Sequence, residues 1–506
     1  RRTWRQTLLE SSPLGRKLLF RATQRLLRRR VPDDMPAPWE ALEAVRVGVG
    51  QGMDAGLAAE RNAIGRLATT PACRNLIGLF FQREEARRLP AEPKDGTMVR
   101  RIGVVGAGAM GAGIVQLAAL RGLDVVIHEI NEEALGTGLL KVAALFDKAV
   151  ERGILARDEA DRKLSTIRGG TDWKGFESVV VAIEAAVEEL DAKRAVFREL
   201  DRRTPPTAVL ATNTSSLSVE VLQGGLSHPE RVAGMHFFNP VHKMPLVEIA
   251  RTPQTNENAV AALSRLAIAL GKTPVVVKDS PGFVVNRILM PYLNEAVLLV
   301  GEGLTVRHVD SVMTRFGMPM GPLEMLDQVG LDVAAHVARA MQPALGDRFP
   351  PNPGFELIRD KGWLGQKNGV GFYRHRGKKN QPNELAQNAL RAVLDDEGAA
   401  WPQSLLLVDR LPQARERMVL QMVNEAARCL AEHLAADAAT IDLAMVLGTG
   451  WAPHRGGPLR YAADRGPAEI VHALSELAER LGPRFEPCAE LRQMANLTAA
   501  TVDWPT

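Results

Sequence analysis

The run Arg101-Ile102-Gly103-Val104-Val105-Gly106-Ala107-Gly108-Ala109-Met110-Gly111-Ala112-Gly113 decides how the chain is read. Apolar residues lead into Gly106-x-Gly108-x-x-Gly111. A helical pattern then begins, with Ile114, Leu117, Ala118 and Leu120 spaced for one buried face. A second apolar run, Val125-Val126-Ile127, ends at His128-Glu129. The order is strand, tight glycine turn, helix, strand, acidic residue. Gly106 permits the tight turn, Gly108 lets the backbone approach a pyrophosphate, and Gly111 lets helix and strand pack closely. The helix N-terminus offers N–H groups and a partial positive charge to phosphates. Glu129 lies about 20 residues on, where a carboxylate can hold both ribose hydroxyls. It would repel the 2′-phosphate of NADP, so the stretch predicts a Rossmann-type domain that binds NAD. The competing reading is a glycine-rich turn that binds nothing. The strand before it, the helix after it and the acid at that distance weigh against that.

Composition sets outer bounds. The 506 residues are 46% hydrophobic and 24% charged, with a net charge of +4. That is an ordinary globular balance with ample core. Cys73, Cys429 and Cys488 lie far apart, with no disulfide framework and no metal-ligand spacing, and suggest a reducing compartment. No uncharged apolar run reaches the ~18 residues of a membrane span. Basic residues crowd the first thirty positions, ending in Arg28-Arg29-Arg30. Contact with nucleic acid or a membrane surface, or a transit peptide, would explain them. No aromatic residues are interleaved as nucleic-acid binding wants, and a solvated helical face is the preferred reading. The chain begins at Arg1 without a methionine, which suggests a fragment of a longer protein.

Residues 1 to 98 carry apolar groups at helical spacing, broken at Val31-Pro32 to Pro38 and at Thr69-Thr70-Pro71. Leu89 to Gly96 reads as a linker, with a domain boundary near residue 98. Residues 99–278 alternate strands and helices. Val179 to Ala185 is a buried strand, and Ala208 to Thr212 is another that ends at Asn213-Thr214-Ser215-Ser216. Polar residues at a strand's carboxyl end lie where open α/β sheets bind ligands.

Val232 to Phe238 and Leu246 to Ile249 flank Asn239-Pro240-Val241-His242-Lys243-Met244-Pro245, a hairpin pattern. Folded about residue 242, it sets His236 opposite Glu248, with side chains ~5 Å apart at Cβ. A carboxylate on one ring nitrogen fixes the tautomer and raises the basicity of the other. That is a general base held ready for a substrate hydroxyl. A core histidine with a structural partner is the bland alternative, which the hairpin geometry and the neighbouring dinucleotide motif disfavour. His242 reads as a solvated turn residue. Lys193, in a helical segment, reads on composition alone as a surface charge.

From Lys278 helices take over. Asp279-Ser280-Pro281-Gly282-Phe283 breaks the chain before a helix carrying Asn286, Arg287, Tyr292, Asn294 and Glu295. The series Arg287, Asn294-Glu295-Ala296, Asp310, Gly321-Pro322-Leu323, Asp327 recurs as Arg417, Asn424-Glu425-Ala426, Asp442, Gly457-Pro458-Leu459, Asp464. Order and spacing agree over about fifty residues, a duplication of one helical domain. Arg374 to Asn388 reads as the loop that joins the copies. The second copy lacks the Gly282-Phe283 and Asn286 features, so a structural role is expected for it.

These residues resemble a known family. Gly106-Ala-Gly-Ala-Met-Gly111, Asn213-Thr-Ser-Ser216, His236-Phe-Phe-Asn-Pro240 and Asp279-Ser-Pro-Gly-Phe-Val-Val-Asn-Arg287 with Pro291 are similar to the motifs of 3-hydroxyacyl-CoA dehydrogenases. The form resembled is the multifunctional α-subunit of the fatty acid β-oxidation complex. The resemblance covers residues 99–506. It implies a Rossmann-type NAD-binding domain over 99–278 and two duplicated all-α domains over 279–380 and 381–506. Ser12-Pro-Leu-Gly-Arg-Lys17 and Gly78-Leu-Phe-Phe81 make residues 1–98 resemble the helical C-terminal remnant of a crotonase-like hydratase/isomerase module, with its linker. That module's oxyanion hole and catalytic glutamates would lie upstream of Arg1, so no hydratase activity is expected from this chain alone.

The resemblance also implies roles. His236 is the expected base and Glu248 its orienting partner. Ser215 is expected to hydrogen-bond the substrate hydroxyl, and Asn286 to position the substrate. Met110, Glu129, Ala186, Val187, Glu188, Lys193, Ser215 and Asn239 match positions that contact NAD, together with Gly106, Gly108 and Gly111. Glu129 stands where an aspartate is commoner. The implied substrate is an acyl-CoA thioester of (S) configuration. Partners suggested by resemblance are a thiolase β-subunit or a second copy; nucleic acid and an integral membrane segment are not expected. A bacterial α-subunit would be cytoplasmic, and mitochondrial relatives exist. The rival readings are a dehydrogenase of another 3-hydroxy substrate and a non-catalytic scaffold that binds thiolase.

Overall fold

The computed structural model describes residues 9–10, 12–88, 99–377, 379–394 and 405–496. The linker and the boundary expected near residue 98 lie largely outside them.

The N-terminal region folds as helices Pro13–Arg30, Ala37–Gln51, Met53–Leu67 and Pro71–Ala86. Ser12 and Thr70 cap two of them by accepting from Gly15 N and Cys73 N, as hydroxyl caps do. Both expected breaks are present. A third, at Gly52 (φ +102°), splits what would otherwise be one long helix. The fourth helix docks on the C-terminal part of the chain. Buried Asn75 donates from Nδ2 to His454 O (3.2 Å) and Asp464 Oδ2 (3.0 Å), and accepts from Arg460 Nε (3.1 Å).

The central sheet contains β1 (Arg101–Val105), β2 (Asp124–His128), β3 (Ile167–Gly170), β4 (Val181–Glu184), β5 (Val209–Thr212), β6 (Val232–Phe237), β7 (Leu246–Arg251) and β8 (Thr273–Lys278). Their order is β3-β2-β1-β4-β5-β6-β7-β8. The first six are parallel, β7 runs antiparallel to β6, and β8 is parallel to β7. Both faces are covered, so the inner strands are mostly apolar; β4 and β5 are buried at every position, including the polar residues Glu184 and Thr212 that end them. One face packs on helices Ala109–Leu120 and Glu257–Ala269, and the other shares its core with the helical half of the molecule. Chain order reverses between β1 and β4, which opens the crevice where doubly wound sheets take ligands.

Two sets of helices follow. Val285–Gly301, Val306–Phe316, Pro322–Val329, Leu331–Leu345 and Pro353–Asp360 match Leu407–Ala431, Ala438–Thr449, Pro458–Arg465, Pro467–Leu481 and Ala489–Asn496 in order. The long helices Val285–Gly301 and Leu407–Ala431 pack together at the centre. The copies share an internal device. Asp310 accepts from Leu323 N (2.8 Å) and Glu324 N (3.1 Å), and Asp442 accepts from Leu459 N (2.8 Å) and Arg460 N (2.9 Å). Each carboxylate thereby caps the Gly-Pro-Leu helix of its own copy. Burial pushes both carboxyls up, Asp310 to about 7 and Asp442 to about 8.

The segment expected as a connecting loop is ordered. Tyr373–Arg376 (β9) pairs antiparallel with Lys379–Pro382 (β10), and helix Glu384–Leu394 follows. The strands are rich in polar residues and lack the alternation that marks a half-buried strand; backbone pairing makes them. The helix buries Ala386, Leu390 and Leu394 and packs on Val285–Gly301 and Pro353–Asp360 of the first copy. Among the described residues, no helix is long and apolar enough to cross a membrane.

Candidate active site

Register places the chemistry. In the β6–β7 ladder His236 pairs directly with Glu248, and Nδ1 lies 2.9 Å from Glu248 Oε2. A carboxylate only accepts here, so Nδ1 carries a proton, and in the neutral ring the lone pair is on Nε2. Glu248 is fully buried, and its second oxygen accepts from Val284 N (3.2 Å) and Val285 N (2.9 Å). Those N–H groups open helix Val285–Gly301, whose N-terminal dipole favours the negative charge. His236 is 6% exposed and packs on Phe238 and Phe283, with ring centroids 4.5 and 5.7 Å away. Nε2 has no protein partner among the described residues.

Ser215 and Asn286 meet beside this pair. Asn286 Nδ2 donates to Ser215 O at 3.4 Å, and Ser215 Oγ reaches Glu188 Oε1 at 3.4 Å. Asn213 Oδ1 accepts from Phe237 N (2.9 Å), which ties the end of β5 to the strand that carries His236. The four residues expected to share the chemistry thus come from the loop after β5, from β6, from β7 and from the first helical domain.

The glycine loop has the expected geometry. Gly106 takes φ +93°, and a Cβ there would stand 2.7 Å from Ala185 O; a Cβ on Gly111 would stand 1.9 Å from Gly106 O. At Gly108 nothing lies within 4 Å on that side. No side chain caps helix Ala109–Leu120, and no acid sits in its first turn. This open, uncapped cradle fits a pyrophosphate. Glu129 lies against the cradle: one oxygen accepts from Ala107 N and the other from Ile130 N (3.1 Å). Met110 begins the same helix, half-buried. Asn239 lies exposed just beyond β6.

For Lys193 the structure corrects the reading from composition alone: it is no surface charge but 1% exposed, with Nζ 2.7 and 2.9 Å from the Glu184 oxygens and 3.2 Å from Glu188 Oε2. Glu184, at the end of β4, went unrecognised in the sequence. It also accepts from Ala186 N (2.7 Å) and Thr212 Oγ1 (2.7 Å). Its signal was an acid closing an apolar strand, which a buried position tolerates only with partners. Glu188 gathers Thr214 Oγ1, Ser215 N (2.9 Å) and Ser216 N (3.2 Å) on one oxygen. Burial opposes its charge, yet Lys193 and these donors hold its carboxyl below the ordinary value. Ala186 and Val187 lie in the short segment between the two glutamates, with Val187 62% exposed. Lys272 was also missed. Its Nζ donates to Val241 O and to Met244 O (2.7 Å) and pins the β6–β7 loop. Burial and Arg121 push it down to about 8.

Comparison with known proteins identifies the two domains that frame this site. The NAD binding domain of 3-hydroxyacyl-CoA dehydrogenase matches residues 101–280, and the C-terminal domain of the same enzyme matches 282–375. The 3-hydroxybutyryl-CoA dehydrogenase of Escherichia coli K12 is 29% identical over 79% of this chain and 98% of its own, with a TM-score of 0.67. The (S)-3-hydroxybutyryl-CoA dehydrogenase of Ralstonia eutropha is 37% identical over 55% of this chain and 100% of its own (TM-score 0.53). The dehydrogenase part of multifunctional enzyme 1 from C. elegans, 23% identical over 83% of this chain and 98% of its own, shares the fold with a TM-score of 0.59. Motif, cradle and match together make the chain a member of the 3-hydroxyacyl-CoA dehydrogenase family, NAD-dependent oxidoreductases.

Proposed function

We propose that this chain oxidises (S)-3-hydroxyacyl-CoA thioesters to 3-oxoacyl-CoA in fatty acid β-oxidation, with His236 as the general base. The observation that carries this is the buried His236–Glu248 pair near the carboxyl end of β6, on the same edge of the sheet as the glycine loop that follows the parallel strand β1.

The proton path runs through Nε2. It takes the proton of the substrate 3-hydroxyl, while Nδ1 stays bonded to Glu248. The imidazolium that forms sits against a buried carboxylate, a charge already in place before the reaction. Helix Val285–Gly301 fixes that carboxylate with two N–H donors. Ser215 offers its hydroxyl to the substrate oxygen, and Asn286 orients the substrate from the opposite domain. Bound NAD supplies the hydride acceptor. Gly106, Gly108, Met110, Gly111 and Glu129 would hold its adenosine and pyrophosphate half. Ala186, Val187, Glu188, Lys193, Ser215 and Asn239 would line the remainder of its site. Holding the reactants in one geometry between two domains is worth up to ~7–11 kcal/mol of the barrier in favourable cases.

The test is NADH formation by the purified chain with NAD and (S)-3-hydroxybutyryl-CoA, then with longer acyl chains and with free 3-hydroxy acids. Turnover confined to the thioesters supports the reading. Turnover of free acids alone would replace it with another 3-hydroxy substrate.

A further inference from the structure

The two helical copies exchange ion pairs reciprocally. Arg287 of the first copy bonds Glu425 (2.8 Å) and Glu432 (2.7 Å) of the second, with Arg348 of the first copy 3.6 Å from Glu425. In the mirror set Arg417 of the second copy pairs with Glu295 and with Glu302 (2.6 Å) of the first, and Arg484 lies 3.0 Å from Glu295. Residue types, order and roles match. Both arginines and the glutamates Glu425 and Glu295 are buried.

The surroundings of the two sets differ. Arg417 lies mid-helix in Leu407–Ala431, whereas Arg287 lies in the first turn of Val285–Gly301. Immediately before that turn, Gly282 and Phe283 both have positive φ, +76° and +51°. A phenylalanine in the left-handed region is strained and persists only where its surroundings hold it. This turn delivers Val284 N and Val285 N to Glu248 and places Asn286 against Ser215. Arg287 holds both ends of it, bonding Ser280 Oγ (3.4 Å) behind and the second copy's glutamates ahead.

We infer that Glu425 and Glu432 are positioning residues for the reaction: acting through Arg287, the second helical copy holds the strained turn that orients Glu248 and Asn286. The mirror set performs the same packing without a catalytic turn to hold. This rests on His236 and Glu248 being the catalytic pair.

The mirror set supplies the control. In the full chain, Glu425→Gln and Glu295→Gln remove equivalent buried charges. The expected result is a comparable drop in thermal stability for both, with kcat lowered about tenfold only in Glu425→Gln. KM for NAD changes less than kcat in both, because the glycine loop after β1 and Glu129 after β2 lie away from this turn. Equal kcat losses in the two folded variants, or no loss in Glu425→Gln, overturn the inference. Should either buried variant fail to fold, Glu432→Gln and its mirror Glu302→Gln decide in the same way. Glu432 is 45% exposed and leaves Glu425 in place on Arg287. Lowered kcat in Glu432→Gln alone supports the brace, and equal kcat in the two overturns it. His236→Gln, measured alongside, separates this result from the assignment of the base: turnover that survives there refutes the catalytic pair itself.

Discussion

His236 and Glu248 face each other across the β6–β7 register, with Nδ1 2.9 Å from Oε2, and the same carboxylate caps the first helix of the next domain. One side chain therefore orients the imidazole and couples it to the domain that carries Asn286. Glu248→Gln keeps the shape and removes the charge that steadies the imidazolium. Turnover is expected to fall roughly 10²-fold or more, within the range of general-base effects. Steady-state kinetics, with circular dichroism to confirm the fold, checks this. A variant with normal kcat would mean that the pair is structural.

Glu129 touches the glycine loop through Ala107 N, where the adenosine ribose belongs in this fold. Glu129→Ala is expected to weaken NAD use and to narrow the preference over NADP, since the repelling charge is gone. The ratio of kcat/KM for the two cofactors is the readout. An unchanged ratio would remove Glu129 from cofactor selection.

Lys193→Met leaves Glu184 buried and without its cation. Breaking a buried pair from one side costs about 3–5 kcal/mol, so denaturant unfolding should shift by that order. NADH binding should weaken as the segment Ala186–Glu188 loses its anchor. A shift below ~1 kcal/mol would show that Thr212 Oγ1 and Ala186 N satisfy Glu184 by themselves.

Asp310 and Asp442 give a pH dependence. Burial raises their carboxyls to about 7 and about 8 in the folded chain. The folded state thus holds protons that the unfolded state releases near the ordinary carboxylate range of ~4. This contribution to stability is complete below that range and is lost as pH rises through about 7 and then about 8. Midpoints of urea unfolding across pH 4 to 9 should fall over that window. Asp310→Asn and Asp442→Asn should flatten the fall, and an unchanged profile in both would contradict it.

Much of the site was legible because its determinants are local. The run Arg101 to Gly113 states a strand, a turn and a helix in consecutive residues, and Gly106 and Gly111 make the tight turn and the close packing their positions imply. The hairpin fixed the facing of His236 and Glu248 because strand side chains alternate and the loop is short. Duplication was visible as a repeated order of Arg, Asn-Glu-Ala, Asp and Gly-Pro-Leu. What stayed hidden depends on partners distant in sequence. Lys193 looks like any helix lysine until β4 sets Glu184 beneath it. Lys272 gains its role only when the β6–β7 loop folds over it. Strands β9 and β10 have too little apolar alternation to signal pairing. The exchange of Arg287 and Glu425 is invisible in either copy alone.

Under the proposed mechanism His236 moves the proton. The direct measurement is single-turnover NADH formation from (S)-3-hydroxybutyryl-CoA by His236→Gln, in a folded chain whose NADH affinity matches the native protein. A loss of roughly 10²–10⁴-fold is expected, with cofactor binding retained. Near-native turnover would contradict it and would place the base elsewhere.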